Sequence, residues 1–408
     1  MDLIDRRSFF SGEIDSSFSN FVMEDDLEKY RSISKYNLGE SGNSPLSLSK
    51  ICGIFGFDPS EFSASMMHLE LSDSPNWGCH SLREVIASFH QNCPAENILV
   101  TTGTSEALLL LFRQIRPKKL ALVTPAFQLL YEIPLSLGAK ICPLPLHFTL
   151  EGVPTWHYQT WKNILETQKP DCILINTPHN PSGLVFDSQT HQMILDYCDE
   201  TGAYLISDEH YRFLSDNWAE NTWYRGNKKT FVTGSFIKCI GTPGLRIGWA
   251  VGDFEILQKM QNEKNYTTHT VNPLSEFIAL KILSTFQNSG MNYFTSILNA
   301  NKLKLDEFFS KSLSWVGQVP AGGLVSCLFP TFLSDELTLE QLYQRLLANG
   351  LFILPLSRMS AVGFKCSDAV KKPNDTMDIN SGFRLGLGTS TKQLVEALIL
   401  LDQFSKTL

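Results

Sequence analysis

The chain has 408 residues and a formal net charge of −8, from 42 acidic and 34 basic residues, and 43% of its residues are hydrophobic. This length and apolar share fit a large domain with a substantial core and a smaller second domain. Lysine and arginine do not gather into a stripe, so the acidic balance excludes a nucleic-acid binder that relies on a basic surface.

The nine cysteines are scattered and include no Cys-x-x-Cys pair. This pattern favours neither a zinc site nor a disulfide framework and is typical of a reducing cytoplasm. The first residues, Met1–Arg7, contain no apolar signal core, and no run of about 18 apolar residues predicts a membrane span. We therefore expect a cytoplasmic protein without a resident metal that binds no membrane.

The N-terminal segment, residues 1–48, is polar and predicts one or two helices with an extended lead-in. We expect this segment to join the smaller domain and to cover part of an active site. Near its end, Tyr36–Glu40 reads as a short strand that enters a glycine turn.

Residues 49–290 predict the large domain. Apolar, partly β-branched runs alternate there with helical patterns such as Glu106–Ile115 and Gln189–Thr201. The predicted strands are Ile98–Thr101, Leu120–Thr124, Lys140–Leu144, Cys172–Asn176, Tyr204–Asp208, Thr230–Gly234 and Ile247–Val251. Such an alternation indicates an α/β fold, a mostly parallel seven-stranded sheet between helices, whose ligands gather at the carboxyl ends of the strands.

Residues 291–408 predict a smaller α+β domain. A helical pattern over Leu274–Phe286 continues as one long helix through Phe309 and bridges the two domains. The elements predicted beyond it are strands at Gly323–Phe329, Leu351–Pro355 and Arg384–Gly388, and helices at Leu339–Asn349 and Lys392–Phe404.

Lys238 lies between two apolar runs in the segment Thr230–Trp249. A lysine in such a place is costly unless it has a partner or a covalent use, and one such use is a Schiff base with an aldehyde cofactor. Ser235 stands three residues before it, and a glycine-rich loop leads to Arg246. A solvent-facing loop lysine is the other interpretation of this segment taken alone.

The segment Thr101–Leu108 reads as a strand end, a glycine turn and a helix start. Backbone N–H groups and hydroxyls there, at Gly103, Thr104 and Ser105, are typical of an anion site. An ordinary Thr/Ser helix cap fits the same residues. The nucleotide-binding P-loop is excluded, because no Gly-x-x-x-x-Gly-Lys occurs.

Further polar or aromatic residues follow the ends of predicted strands. Phe127 supplies a face on which a flat ring could stack, although by itself its position favours a place in the core. Asn180 lies in a strand-terminal Pro-x-Asn-Pro-x-Gly turn, and Asp208 and Tyr211 follow the next strand. Arg384 lies between apolar residues and predicts either capture of a substrate carboxylate or a buried structural ion pair.

In order and spacing, these motifs resemble the class I/II, fold type I, pyridoxal 5′-phosphate (PLP) enzymes from about Leu38 to Gly386. The resemblance implies PLP as cofactor, covalently held by Lys238, and a homodimer whose sites form at a subunit interface. It implies that Asp208 pairs with the protonated pyridine nitrogen and that Asn180 and Tyr211 contact the phenolic oxygen. The phosphate cradle would comprise Gly103, Thr104, Ser105, Ser235 and Arg246, and Phe127 would stack on the ring.

Within this family the chain resembles enzymes of the capreomycidine synthase type, which cyclise a hydroxylated arginine, and a related cyclase that forms enduracididine in the guanitoxin pathway. The resembling segments are Tyr36–Glu40, Thr101–Leu108, Thr124–Gln128, Pro178–Gly183 and Pro320–Gly323.

This resemblance implies a hydroxylated L-arginine, with γ-hydroxyarginine as first choice, that loses water and closes a guanidine-containing ring. We expect Arg384 to bind the substrate's α-carboxylate and Gly39 to contribute to the substrate site. Glu13 and Glu40 are the first candidates for the guanidinium, and Asp15, Glu24 and Asp25 are the other candidates.

Two alternatives stay open at this stage. An aminotransferase that uses a 2-oxo acid is favoured by the Asp-x-x-Tyr pair of Asp208 and Tyr211. It is disfavoured by Asp73–Trp77, which lacks the tyrosine that many aminotransferases send to the neighbouring subunit's phosphate. A non-enzymatic regulator of the same fold is disfavoured by the intact set of Lys238, Asp208, Asn180 and Arg246.

Overall fold

The structure is a computed structural model that describes residues 18–215, 218, 222–286, 290–359 and 375–406. Its helices are α1 (Val22–Tyr30), α2 (Leu48–Phe55), α3 (Pro59–Met67), α4 (His80–Ala87), α5 (Thr104–Ile115), α6 (Leu129–Ser136), α7 (Tyr158–Gln168), α8 (Ser188–Thr201), α9 (Phe254–Lys264), α10 (Pro273–Ser284), α11 (Met291–Lys311), α12 (Leu339–Ala348) and α13 (Thr391–Lys406). Within the described ranges, no helix is long and apolar enough to cross a membrane.

The strands are short, and most are fully buried. They are β1 (Tyr36–Asn37), β2 (Ile98–Thr101), β3 (Lys119–Thr124), β4 (Lys140–Pro145), β5 (His147–Phe148), β6 (Pro154–Thr155), β7 (Cys172–Asn176), β8 (Tyr204–Asp208), β9 (Thr230–Gly234), β10 (Gly248–Val251), β11 (Trp315–Gly317), β12 (Val325–Pro330), β13 (Leu351–Phe352), β14 (Leu354–Pro355) and β15 (Phe383–Gly386).

A seven-stranded sheet in the order β2-β10-β9-β8-β7-β3-β4 forms the centre of the molecule. Strand β10 is antiparallel to both of its neighbours, and the other pairs are parallel. Two separate apolar clusters pack on the sheet, because strands covered by helices on both faces must be apolar throughout. The predicted α/β class with a mostly parallel seven-stranded sheet is confirmed.

The register of the central strands brings their polar ends together. Asn176 at the end of β7 pairs with Asp208 at the end of β8, and Asp208 pairs with Thr233 of β9. The carboxyl ends of adjacent parallel strands lie at one edge of a sheet, which is where open α/β sheets bind their ligands.

A second sheet, in the order β11-β12-β15-β14, lies towards the C-terminus. The described part of the N-terminal segment packs with this region, since β1 pairs with β13 and the Tyr30 ring of α1 contacts Tyr343 of α12. The division into 1–48, 49–290 and 291–408 stays a prediction.

Two predicted elements differ from those observed. The run Leu351–Pro355 forms two strands, because β13 pairs with β1 while β14 pairs with β15. The predicted helix from Leu274 to Phe309 is two helices, α10 and α11. Helix α10 ends at Ser284, where the backbone N–H of Thr285 turns back to Ile282 and Leu283.

Candidate active site

A cavity of about 280 Å³ lies at the carboxyl ends of β7 and β8, beneath helix α1. Its volume is near the lower end of small-molecule sites. Most of the predicted cofactor ligands line it. They are Thr104, Ser105, Phe127, Asn180, Asp208, Tyr211, Lys238 and Arg246.

Lys238 projects into this cavity from the turn between β9 and β10. The segment around Gly42 packs directly on it, because a Cβ at Gly42 would lie 2.8 Å from Cδ of Lys238. The backbone N–H of Asn43 donates to the Lys238 carbonyl at 2.8 Å. Burial lowers the pKa of the Lys238 amine, against the opposing charges of Glu40 and Glu24. A lysine with a lowered pKa has a larger neutral, nucleophilic fraction.

The Asp208 carboxylate is buried in the cavity wall. It accepts hydrogen bonds from the Thr233 hydroxyl at 3.0 Å and the Asn176 amide at 3.0 Å. Burial raises the pKa of Asp208 to about 7, and the neighbouring Glu209 charge adds to the rise. A buried carboxylate held by neutral donors is stabilised when a cation pairs with it.

Asn180 and Arg384 meet at one end of the site. The Asn180 backbone N–H donates to Asn176 Oδ1 at 2.7 Å, and its own Oδ1 accepts from Arg384 Nη1 at 3.1 Å. The other terminal nitrogen of Arg384 donates to the carbonyl of Gly39. Arg384 is fully buried and its Nε has no hydrogen-bond partner in the described structure, so the guanidinium retains donor capacity.

An anion cradle forms at the N-terminus of α5. Gly103 has φ +80°, and a Cβ there would lie 2.7 Å from Nη2 of Arg246, so the glycine lets the arginine approach the helix start. Thr104 and Ser105 begin the helix. Backbone N–H groups at a helix start combined with an arginine are suited to bind phosphate.

Ser235 occupies a different position from these cradle residues. It is fully buried, its hydroxyl donates to the Ile247 carbonyl at 2.6 Å, and the same oxygen accepts from the Ile237 N–H at 3.2 Å. It fixes the turn that presents Lys238, and its role as a phosphate ligand stays a prediction.

Helix α1 and the residues before it cover the cavity. The Phe21 ring packs on Phe127 with centroids 5.5 Å apart, so one face of Phe127 is occupied by the cover. The Asn20 carbonyl accepts from the Gln128 side chain at 2.8 Å.

Tyr211 is buried, which raises its pKa to about 12. Its phenol is therefore protonated at neutral pH and can donate a hydrogen bond.

The predicted acidic residues have different surroundings. Glu13 lies outside the described residues. Glu40 accepts a hydrogen bond from Nε of Arg31 at 2.6 Å and is therefore already paired. Glu24 of α1 lines the cavity and forms a longer ion pair with Arg31, whose Nη2 lies 3.9 Å from the Glu24 carboxylate, beyond hydrogen-bond range.

Sequence reasoning assigned no role to two further residues of the site. Asn176 orients both Asp208 and Asn180, and its position as the last residue of a buried strand was the signal for it. His210 lines the cavity with its Nδ1 3.3 Å from the Thr104 hydroxyl. His210 lies between Asp208 and Tyr211 in the sequence. A histidine in that segment was a signal from which a role in the site could have been predicted.

The aminotransferase class I and II family model matches residues 68–370, which is most of the chain. The chain belongs to the aminotransferase class I and II family. This confirms the family recognised from the motifs. Members of this family and their PLP-dependent structural neighbours use pyridoxal 5′-phosphate, so the predicted cofactor is confirmed as well.

The proteins similar to this chain include a synthase, a PLP-dependent cyclase and a PLP-dependent aminotransferase. Capreomycidine synthase of Streptomyces vinaceus is 27% identical over 311 residues, covering 73% of this chain and 77% of that protein. A PLP-dependent aminotransferase from Streptococcus suis 89-1591 superposes with TM-score 0.82 at 22% identity, over 96% of this chain and 98% of its own. The PLP-dependent cyclase OrfR gives TM-score 0.78 at 20% identity, over 95% and 98%. These two structures support the fold.

The residues that line the cavity of this protein fit PLP. Among the described residues, the side chains that contact the buried Asp208 carboxylate are the neutral Thr233 and Asn176, and a protonated pyridine nitrogen would provide a cation for it. Lys238 lies on the same wall with a lowered amine pKa, and the α5 cradle with Arg246 suits a phosphate. A buried amine, a buried carboxylate and an anion cradle thus share one cavity, which is the set of groups that PLP would need.

Proposed function

We propose that the protein is a PLP-dependent cyclodehydratase. Its substrate would be a hydroxylated L-arginine, γ-hydroxyarginine first, and its product a cyclic guanidine amino acid of the enduracididine or capreomycidine kind. One molecule of water is lost and one bond forms between a guanidine nitrogen and a side-chain carbon. The reaction requires no amino acceptor.

The observation that carries the proposal is the position of Glu24. Its side chain is 44% exposed and lines the cavity, and its charge, together with that of Glu40, acts on both Lys238 and Arg384. Arg31 pairs with Glu24, Glu28 and Glu40, so the acids outnumber the cation beside Glu24. A distal carboxylate of the substrate would be repelled there, whereas a guanidinium would be attracted. This supports a substrate that carries a carboxylate at one end and a cation at the other.

The likeness to capreomycidine synthase and to the cyclase OrfR supports ring formation as the reaction class. In this proposal Arg384 and Asn180 hold the α-carboxylate, and Glu24 holds the guanidinium so that the side chain folds back on itself. Orientation of both ends converts ring closure into an intramolecular step with a high effective concentration.

When bound, PLP supplies an aldehyde carbon for covalent attachment and a ring that delocalises charge from the α-carbon. Lys238 accepts the α-proton as a neutral amine and later returns a proton. The substrate hydroxyl leaves with a proton as water, and the attacking guanidine nitrogen gives up one proton on bond formation. Phe21, Met23 and Leu27 of the cover limit water in the cavity while these protons move.

Incubation of the PLP-loaded enzyme with γ-hydroxyarginine and no 2-oxo acid tests this reaction. Mass spectrometry should find a product lighter than the substrate by one water, with a cyclic guanidine carbon signal by NMR. The β-hydroxy isomer and L-arginine, which has no hydroxyl to lose, are the comparisons. No turnover of either hydroxylated substrate under these conditions would contradict the proposal.

Aminotransfer is the second candidate, and the buried Asp208 with Tyr211 three residues on is the observation that favours it. The same incubation with 2-oxoglutarate separates the two. An absolute requirement for the oxo acid, with formation of glutamate and a keto product, would identify an aminotransferase.

A further inference from the structure

His210 is a cavity residue to which the reaction above assigns no role. It directly follows the buried pair Asp208 and Glu209, and its carbonyl accepts from the Cys239 thiol at 3.5 Å, next to Lys238 in the chain. These contacts fix its backbone between the strand end and the turn that presents Lys238. The imidazole lies at the start of α5, where its Nδ1 is 3.3 Å from the Thr104 hydroxyl.

The Thr104 contact fits a tautomer of His210 that carries its proton on Nε2. In this tautomer the Thr104 hydroxyl donates to Nδ1 of His210 at 3.3 Å. The ring proton of a neutral imidazole then sits on Nε2. No described residue pairs with this Nε2, which is left as a free N–H donor in a histidine that lines the cavity.

The charges around His210 favour the neutral ring and an anionic ligand. Burial, together with the positive charges of Lys238 and Arg246, lowers the pKa of His210 to about 3. Asp208 and Tyr211 lie on the adjoining wall, and Glu24 faces the cavity from α1. His210 lies at the Thr104 end of the cavity. This end therefore contains the Arg246 guanidinium, the N-terminus of α5 and the neutral His210 imidazole as a further hydrogen-bond donor.

We propose that His210 is a phosphate ligand of the cofactor site, donating from Nε2 to a phosphate oxygen while Thr104 holds Nδ1. The inference rests on the family's cofactor and is independent of whether the enzyme cyclises or transaminates its substrate. It adds a histidine to a cradle that otherwise consists of the α5 start and Arg246.

Substitution of His210 by Phe tests this role, because phenylalanine keeps an aromatic ring of similar size and removes both nitrogens. The apoenzyme is titrated with PLP and, separately, with pyridoxal, which has the same ring and aldehyde but no phosphate. Binding is followed by the visible absorbance of the bound ligand. Inorganic phosphate is a third ligand, measured by its competition with PLP.

We expect His210→Phe to weaken PLP and inorganic phosphate about tenfold, the effect of losing one hydrogen bond to a charged group, with pyridoxal affinity unchanged. Equal weakening of PLP and pyridoxal would mean that His210 supports the ring or the fold, and would overturn the proposal. Unchanged affinity for all three ligands would overturn it too. His210→Gln, which restores an N–H donor, should recover part of the difference between PLP and pyridoxal.

Discussion

The two walls of the cavity are built in different ways. The sheet wall consists of groups at neighbouring strand ends, where Asn176, Asp208 and Thr233 hydrogen-bond to one another in register. The cover wall brings together residues far apart in the chain, because Glu24 on α1 lines the cavity and the buried Arg384 on β15 lies behind Asn180, to which it donates. The sheet wall fits the cofactor that the whole family shares, and we infer that the cover wall determines which amino acid is accepted.

The largest expected effect is on the sheet wall, at Lys238. Its substitution by Ala should lower turnover at least about 1,000-fold, because the site loses both its covalent amine and its proton acceptor. Circular dichroism should show a retained fold. Borohydride treatment of the wild-type enzyme should attach the reduced cofactor to the peptide that contains Lys238.

Lys264 is the matched control, as a buried lysine whose pKa is also lowered by burial. Its Nζ donates to the Asn76 carbonyl at 2.9 Å, which is a structural contact. The folded fraction of Lys264→Met should still be labelled at Lys238. Labelling of the Lys264 peptide instead would overturn the assignment of the covalent lysine.

On the cover wall, Arg384→Lys should raise KM for the amino acid substrate about 30-fold, because lysine keeps the charge but loses the planar fork that matches a carboxylate. PLP should still bind, since Lys238, Asp208 and the α5 cradle are unchanged, although Arg384 also donates to Asn180. Arg358→Lys is the control, because Arg358 pairs with Asp26 and Glu340. Loss of cofactor binding in Arg384→Lys would show that the two walls are not separable.

The ionisation of Asp208 on the sheet wall can be tested through the pH dependence of the unfolding free energy. Its folded pKa of about 7 exceeds the ordinary 3.8, so the folded state retains a proton that the unfolded state loses between these values. The unfolding free energy of the apoenzyme should therefore fall as pH rises through this range, by up to about 1.4 kcal/mol per pH unit, and level off above pH 7.

Thermal unfolding from pH 5 to 8 measures this effect. The apo form of Asp208→Asn lacks the ionisation, and its amide can donate to Thr233 while accepting from Asn176. Its advantage over the wild-type apoenzyme should grow with pH, whereas added PLP should flatten the wild-type curve. Parallel curves for the two apoenzymes would mean that Asp208 is already ionised without the cofactor.

The same contrast between the walls explains how far sequence reasoning reached. Lys238, Asp208 and Asn180 were predictable because each follows an apolar run, and strand ends of a parallel sheet share one edge. Glu24 was one acid among several in a polar segment. Only the packing of α1, through Phe21 on Phe127, places Glu24 in the cavity, while Arg31 forms its short hydrogen bond with Glu40 and a longer ion pair with Glu24.

The element ends show the same limit. The run Leu351–Pro355 is apolar throughout, and nothing local indicates that its two halves pair with different sheets. Ser235 has the spacing of a phosphate ligand, yet its hydroxyl is engaged by Ile247, a contact that depends on how β10 returns beside β9. The strand pairing of Leu351–Pro355 and the hydrogen-bond partner of Ser235 both depend on contacts between segments distant in sequence, which a local sequence pattern does not reveal.

The most direct test of the difference between the walls compares L-arginine with L-citrulline, its neutral isostere, as ligands of the PLP-loaded enzyme. Binding is read from the change in cofactor absorbance in wild type, Glu24→Gln and the control Asp25→Asn, which removes an exposed charge from the same helix. We predict that wild type and Asp25→Asn bind arginine about tenfold more tightly than citrulline, and that Glu24→Gln loses this preference without weakening citrulline. Equal preference in all three proteins, or no preference in the wild type, would contradict the assignment of Glu24 as the residue that selects a cationic side chain.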